Sequence, residues 1–421
     1  MLVVLTGCYI FVWSSPVPAG TTFGIYDART LAMGGVSVAS ANNDNAQFYN
    51  SALLAFNKEI EEKTQDSRFL FSLLSPQVTK SAITMEELSQ DDLTQAITRA
   101  IGDFNATPDA MNAQAVVDVT AHLDASLADL DGEDLFADIY IGLAVSEPSK
   151  FQGAGFFMGT RLLAGGQSTI TATDHAVLAA YQEGLTFIAS GGAQGVEHPE
   201  LFDANGELID PGNTFDSTAS AAGAIVTEAG VAMSSQFEVF GEPIAAGFSF
   251  KVQRIDTFED VERVVNDQID VEQNSDDHHN VNFDVGFVKE MGERWRIGLA
   301  VKDVIPHNYN TSLGTAIRFR PRARIGAAYQ VGGLQIAADA DLTRNEPLGS
   351  EDATQEAAIG AEWAFGTPLK LRAGYRHDIQ SNRDGIASFG VGTLWKRLAV
   401  DLAYAEGSDA KAAALQFGIA F

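Results

Sequence analysis

The chain has 421 residues, of which 46 % are apolar, 39 are Gly and one, Cys8, is cysteine. That length suits two or three ordinary domains or one large single-sheet structure, and a single cysteine excludes an intrachain disulfide and a thiolate metal cluster. With 27 Lys+Arg against 56 Asp+Glu, a formal charge of −29, the chain lacks the clustered cations that displace counterions from phosphates, so nucleic acid is excluded as a direct ligand. No run of about 18 to 20 apolar residues supports a bundle of membrane helices.

Residues 1–19 read as an export signal. Leu2 to Trp13 form an apolar run, and Val17-Pro18-Ala19 precedes Gly20 as a small-residue cleavage site, although the first cation is only Arg29. Residues 20–66 are weakly periodic and too short for an ordinary domain, which makes them an N-terminal hatch or plug. Within them Asp27 and Arg29 form either a breakable ion pair that gates passage or an anchor to charges on a surrounding wall.

From residue 67 to the end the dominant signal is alternation, expected near 68–75, 136–146, 152–164, 217–238, 243–258, 279–291, 294–303, 321–331, 333–342, 355–364, 368–378, 384–395, 397–406 and 411–421. That makes 14 strands, joined alternately by tight links such as Glu147-Pro148-Ser149-Lys150 and by longer acidic ones. One face of each run is large and apolar; the other is small or charged. A soluble sandwich would carry dense charge on its outward faces, whereas a membrane barrel sets apolar side chains toward lipid and small or compensated charged ones toward the lumen. The expected fold is therefore an all-β antiparallel membrane barrel in the outer membrane of a Gram-negative bacterium, with lipid and lipopolysaccharide as its surroundings. Its lumen charges are Arg296, Lys302, Arg322, Arg324, Asp339, Asp341, Glu362, Lys370, Arg372 and Arg376, with cationic runs before and after an anionic one, so that neighbouring strands could neutralise one another. They serve as structural packing or as a substrate track.

Two outer connections carry helical periodicity. Over about 84–131, Leu88, Leu93, Ile97, Ile101 and Phe104, then Val116, Val119, Leu123, Leu127 and Leu130 after Thr107-Pro108, describe a helical hairpin that caps the mouth or packs on the rim. A further helix is expected over about 174–189. Asp203-Ala204-Asn205-Gly206-Glu207 with Asp210 offers oxygen ligands for calcium, but its Gly stands in the wrong place for an EF-hand and a hairpin turn explains it as well. Asp276-Asp277-His278-His279 reads as solvated loop rather than as a metal site. No catalytic residues, metal or cofactor are expected, and the chain is not read as an enzyme.

The stretch Tyr26-Asp27-Ala28-Arg29-Thr30-Leu31-Ala32-Met33-Gly34-Gly35-Val36, continuing to Phe48-Tyr49-Asn50-Ser51-Ala52-Leu53-Leu54, resembles the N-terminal signature of outer-membrane barrels related to the FadL long-chain fatty-acid transporters, and more specifically the TraF-like barrels labelled as conjugal transfer proteins. Trp295 to Pro306, Ala338 to Thr343 and Leu371 to Arg376 extend the resemblance. It implies a FadL-like barrel with an N-terminal hatch and uptake of a small hydrophobic molecule; the alternative is an envelope interaction protein serving plasmid transfer. An Asn-Pro-Ala usual near the hatch is Asn50-Ser51-Ala52 here, which questions any backbone role of the proline. The terminal Phe421 resembles the aromatic read by the barrel insertion machinery.

Overall fold

The computed structural model describes residues 18–19, 22–56, 68–74, 77–80, 82–83, 92–239, 242–264, 275–346, 348, 352–364, 368–408 and 410–420. Apart from Pro18 and Ala19, which pair in parallel with Arg344 and Asn345, the expected export signal lies outside the described residues, as do Phe421 and the start of the outer helical segment.

Fourteen antiparallel strands close into a barrel: β1 (Arg68–Leu74, continued by Gln77–Thr79), β2 (Asp134–Glu147), β3 (Gln152–Thr169), β4 (Thr218–Val239), β5 (Glu242–Arg263), β6 (Asp276–Met291), β7 (Trp295–Lys302), β8 (Arg322–Val331), β9 (Leu334–Asp341), β10 (Glu356–Ala364), β11 (Leu369–Asp378), β12 (Ile386–Trp395), β13 (Leu398–Glu406) and β14 (Ala410–Ala420). Each pairs with its sequence neighbours, and closure comes from β14 against β1, with Phe417 opposite Phe71 and Ala420 opposite Arg68. Both barrel ends therefore lie on the side of the short turns. Closure leaves no unpaired edge, the condition for a sheet to sit in hydrocarbon.

The wall is uneven. Strands β7 to β14 have 8–11 residues, the length that crosses a bilayer once, whereas β4 and β5 have 22 each and at about 3.3 Å per residue overshoot the apolar band. Their outward faces show where lipid ends. On β4, Val231, Met233 and Phe237 are exposed, and above them Thr227 shares a hydroxyl hydrogen bond with Thr160 of β3. On β5, exposed Phe248 and Val252 give way to an Arg254–Asp256 ion pair of 2.8 Å. Near the short turns Phe151, Phe237, Trp295, Trp363 and Trp395 are exposed and form an interfacial aromatic girdle.

Inside sits the hatch, residues 22–56, with two short helices, α1 (Ala28–Ala32) and α2 (Ala46–Tyr49), and a 3-10 turn over Ser51–Ala55. Outside, α3 (Asp92–Ala106), α4 (Ala110–Ala128) and α5 (Ala172–Ala189) share one apolar cluster in which Phe104, Val116, Leu123 and Leu185 meet Leu135, Ala219 and Val264 at the outer ends of β2, β4 and β5. The helical hairpin thus packs on the barrel rim. A short β-hairpin, His307–Asn310 with Ala316–Phe319, enters the mouth instead.

Candidate functional site

The hatch is organised by one carboxylate. Asp27 has extended backbone and caps α1, accepting from the Thr30 amide and hydroxyl (both 2.9 Å), the Asn45 side-chain amide (2.9 Å) and the Tyr49 hydroxyl (2.7 Å). A buried carboxylate needs several donors to offset desolvation, and here it finds all of them within the hatch. Arg29 points the other way, reaching Glu362 at 3.0 Å and Gln335 at 2.7 Å on the wall. Of the two readings of these residues the geometry fits the anchor, with Arg29 on a wall charge, and not a gating Asp27–Arg29 pair. The first residue folds the hatch and the second fastens it, because two residues apart on a helix point to different faces.

Glycines make room for this docking. A Cβ on Gly374 would stand 2.2 Å from the Gly34 nitrogen, on Gly360 2.3 Å from the Met33 carbonyl oxygen, and on Gly286 2.0 Å from Asn50 Oδ1. The hatch backbone lies directly on the wall backbone. Asn50 donates to the carbonyls of Val38 (2.8 Å) and of Phe287 (3.3 Å) on β6, while its oxygen caps the 3-10 turn at the Ala52 amide. Asn50 is extended and Ser51 opens the turn, the position where proline is tolerated, so the side-chain cap holds the geometry that Asn-Pro would impose. Asp339 reaches in from β9 to accept from the amides of Ser37 (2.7 Å) and Val38 (2.9 Å).

The ten wall charges all project inward. Arg324 pairs with Asp341 at 2.5 Å and Glu356 at 3.0 Å, Arg372 with Glu362 at 2.6 Å and Asp401 at 2.5 Å, Arg296 with Glu290 at 3.1 Å, and Lys370 lies 3.9 Å from Glu362. Arg322 pairs with Asp303 and donates to the Thr22 carbonyl at 2.5 Å. Lys302 bonds the Tyr26 hydroxyl (2.8 Å) and the Phe48 carbonyl (2.9 Å), with its ammonium 4.0 Å from the centre of the Tyr26 ring. Arg376 is buried at the outer end of β11 and keeps one guanidinium nitrogen, Nη2, without a hydrogen-bond partner.

Equally central residues escaped the sequence reading. Lys251 meets Asp303 at 2.6 Å and Asp284 at 2.9 Å, and Arg161 grips Asp138 through two nitrogens at 2.6 and 2.8 Å. Lys251 could have been found, since it stands between outward Phe250 and Val252 at an inward position of its strand.

Above this charged floor the lumen turns apolar. Leu163 of β3, Ala224 and Val226 of β4 and Ile255 of β5 pack with Ile317 and Phe319 of the inserted hairpin and with Leu348. Tyr309 of the hairpin stacks on His278 of β6 at 4.5 Å and bonds Asn280. His278 therefore belongs to the wall rather than to a solvated loop, since β6 begins at Asp276. Its two strands have four residues each, and in the sequence Tyr309, Ile317 and Phe319 leave only a faint trace of the hairpin. Between the hairpin and the hatch, Phe319, Leu163, Tyr26, Arg161 and Arg322 enclose only about 20 Å³, space for about one water.

Outside the barrel, Asp203 accepts the amides of Asn205 and Glu207 on Oδ1, both at 2.8 Å, and the Asn205 side chain on Oδ2 at 3.0 Å, and Phe202 bridges Leu208. That is the hairpin-turn reading of the segment. Among the described residues no cluster of three or more His, Cys, Asp or Glu is placed to hold a metal ion.

A family model described as "F plasmid transfer operon, TraF, protein" matches residues 47–341, well over half of the chain. No curated protein matches it. Among solved structures the chain is similar to the toluene transporter TodX of Pseudomonas putida, with 10 % identity over 97 % of this chain and 99 % of that one and a TM-score of 0.43. It is similar also to a FadL homologue of Pseudomonas aeruginosa, with 12 % identity, 96 % and 99 % covered and a TM-score of 0.44. A mutant Rh. blastica porin shares 12 % identity over 85 % of this chain and 99 % of that one, with a TM-score of 0.31.

Proposed function

The chain belongs to the family described as F plasmid transfer operon, TraF, protein, and for this member we propose a FadL-like channel of the Gram-negative outer membrane that admits small hydrophobic or amphipathic compounds passively. One observation carries the reading: a compartment of Leu163, Val226, Ile255, Ile317, Phe319 and Leu348 inside the lumen, directly above a floor of ion pairs. A barrel that only needed filling would continue its compensated charges to the mouth. Apolar side chains on both an inserted hairpin and the facing wall form a surface that an apolar solute can replace at little cost when the hairpin lifts. The hatch then sets the second barrier, since Arg29, Asp339 and Asn50 tie it to the wall.

The test is uptake of a panel of apolar compounds by cells lacking the gene and by cells in which it is restored. Deletion should slow uptake and restoration recover it. Replacing residues 309–317 with a short Gly-Ser link should speed it further. Uptake indifferent to both changes sinks the proposal.

The dense pairing of hatch to wall favours a second reading, a static barrel that serves plasmid transfer through its outer helices. It predicts the reverse pattern, with transfer frequency reduced and uptake untouched.

A further inference from the structure

The lipid-facing wall is not evenly filled. Across β10 to β13 its outward side chains leave a groove of about 670 Å³, lined by Trp363 of β10, Leu371 of β11, Phe389 and Val391 of β12 and Leu402 of β13. The floor is made of two alanines, Ala361 and Ala373, which stand opposite each other on β10 and β11 with Phe389 next in the same row. Phe389 packs on Tyr404 of β13 with ring centroids 5.5 Å apart. Arg372, the one charged residue at the groove, turns its guanidinium inward to Glu362 and Asp401. The groove itself is therefore apolar.

On the side of the short turns stands a pair of cations. Lys396 and Arg397 join β12 to β13, both are exposed, and among the described residues neither forms an ion pair. No other short link between strands carries a net positive charge, in a chain of formal charge −29. Lys396 has φ +58°, the left-handed conformation that Gly292 and Gly332 adopt in the β6–β7 and β8–β9 turns. A lysine where glycine is favoured carries a backbone cost that a use for its charge offsets. Its ammonium lies 5.3 Å from the centre of the Trp395 ring, at the level of the aromatic girdle where lipid headgroups begin. From Val391 to Lys396 the strand runs about 16 Å at 3.3 Å per residue, close to half of a hydrocarbon core about 30 Å thick. A lipid whose phosphate rests on this turn carries its acyl chain to the level of the groove.

We propose that the groove and the turn together bind one anionic phospholipid of the leaflet on the side of the short turns. An acyl chain lies over Ala361 and Ala373 between Trp363 and Phe389, and the phosphate meets Lys396 and Arg397. A zwitterionic headgroup brings its own ammonium to the same two cations and is held less well. The site requires the barrel to lie in a membrane and is independent of what crosses the lumen.

The experiment is native mass spectrometry of the full-length barrel in detergent, titrated with phosphatidylglycerol and, separately, with phosphatidylethanolamine of the same acyl chains. One phosphatidylglycerol should be retained about tenfold more tightly than phosphatidylethanolamine, the ratio that two cations at a membrane surface supply. Lys396→Gln combined with Arg397→Gln should bring phosphatidylglycerol down to about the level of phosphatidylethanolamine. Lys150→Gln, which removes a cation from another short link, should leave both lipids unchanged. Ala373→Trp, which fills the floor of the groove, should weaken both about fivefold or more while keeping the preference between them. Heat-dependent gel mobility confirms that each variant is folded. Equal retention of the two lipids, retention indifferent to the double variant or falling as far in Lys150→Gln, or retention unmoved by Ala373→Trp overturns the site.

Discussion

At the scale of single residues, Asp27 concentrates the most consequence in the fewest atoms. Its two oxygens satisfy four donors from three residues of the hatch. In Asp27→Asn an amide NH₂ faces groups that are themselves donors, which strands at least one of them at about 1–3 kcal/mol. The hatch should loosen before the barrel does, so planar-bilayer recordings of the variant should show ion conductance that the parent lacks. Outside the membrane, His198 sits between Glu200 at 2.8 Å and Glu183 at 3.1 Å. Hydrogen bonds first to Glu200 and then to Glu183 raise its imidazole above the ordinary value. A group whose folded value is raised lends stability that is complete below its unfolded value of about 6.5 and disappears as pH climbs through the folded one. Amide exchange across residues 190–216 should therefore quicken between pH 5.5 and 8.5 in the parent and change less in His198→Gln (about 3 pH units of scan around that value). Of these two residues, Asp27 was visible in the sequence as a hatch carboxylate, but its role was not. Spacing places Asp27 and Arg29 near each other along the chain, while the direction of each side chain depends on the helix that Asp27 itself caps.

At the scale of elements, the hatch and wall meet through glycine. Gly360 and Gly374 face each other across β10 and β11, and both bring the wall backbone against the Met33-Gly34 turn, where Gly34 has φ +72°. Gly34 closes α1 with its amide bonded to the Leu31 carbonyl at 3.1 Å, a left-handed position that other side chains resist. Gly374→Val should push α1 off the wall with little effect on barrel pairing. Limited proteolysis should then cut within residues 22–56 while the heat-modifiable barrel band persists. The strands themselves were legible because alternation is a local property: β2, β6 and β11 fall within a few residues of their expected bounds. β3 and β5 run five residues past theirs, since above the lipid band the outward face turns polar and the apolar contrast that marks a strand fades. The mouth hairpin was passed over for a related reason, as four-residue strands carry too little periodicity to stand out from a loop.

At the scale of the whole molecule, the apolar band is the condition for everything inside it. Leu402 is exposed on β13 and flanked by exposed Val391 of β12 in the same band. Leu402→Arg should cost about 2–4 kcal/mol if lipid covers that position, measured as a shift in urea unfolding of the barrel in liposomes. A shift near zero would place the face in water. The same band explains why the lumen tolerates so many charges: with the exterior fixed as apolar and the barrel closed, inward positions are the only ones left for them, and burial there forces pairing.

The order and number of the strands, the alternation of short and long connections, and the assignment of apolar side chains to the outside follow from residues close together in the chain, because each strand writes its two faces into consecutive positions. Which charges meet does not. Arg29 finds Glu362 across 333 positions and Asp339 finds Ser37 across 302, and these contacts exist only once the wall has closed around the hatch. Barrel closure converts a list of inward-facing residues into particular pairs, a seated plug and an apolar compartment, since each is a matter of distance in space that no local period encodes.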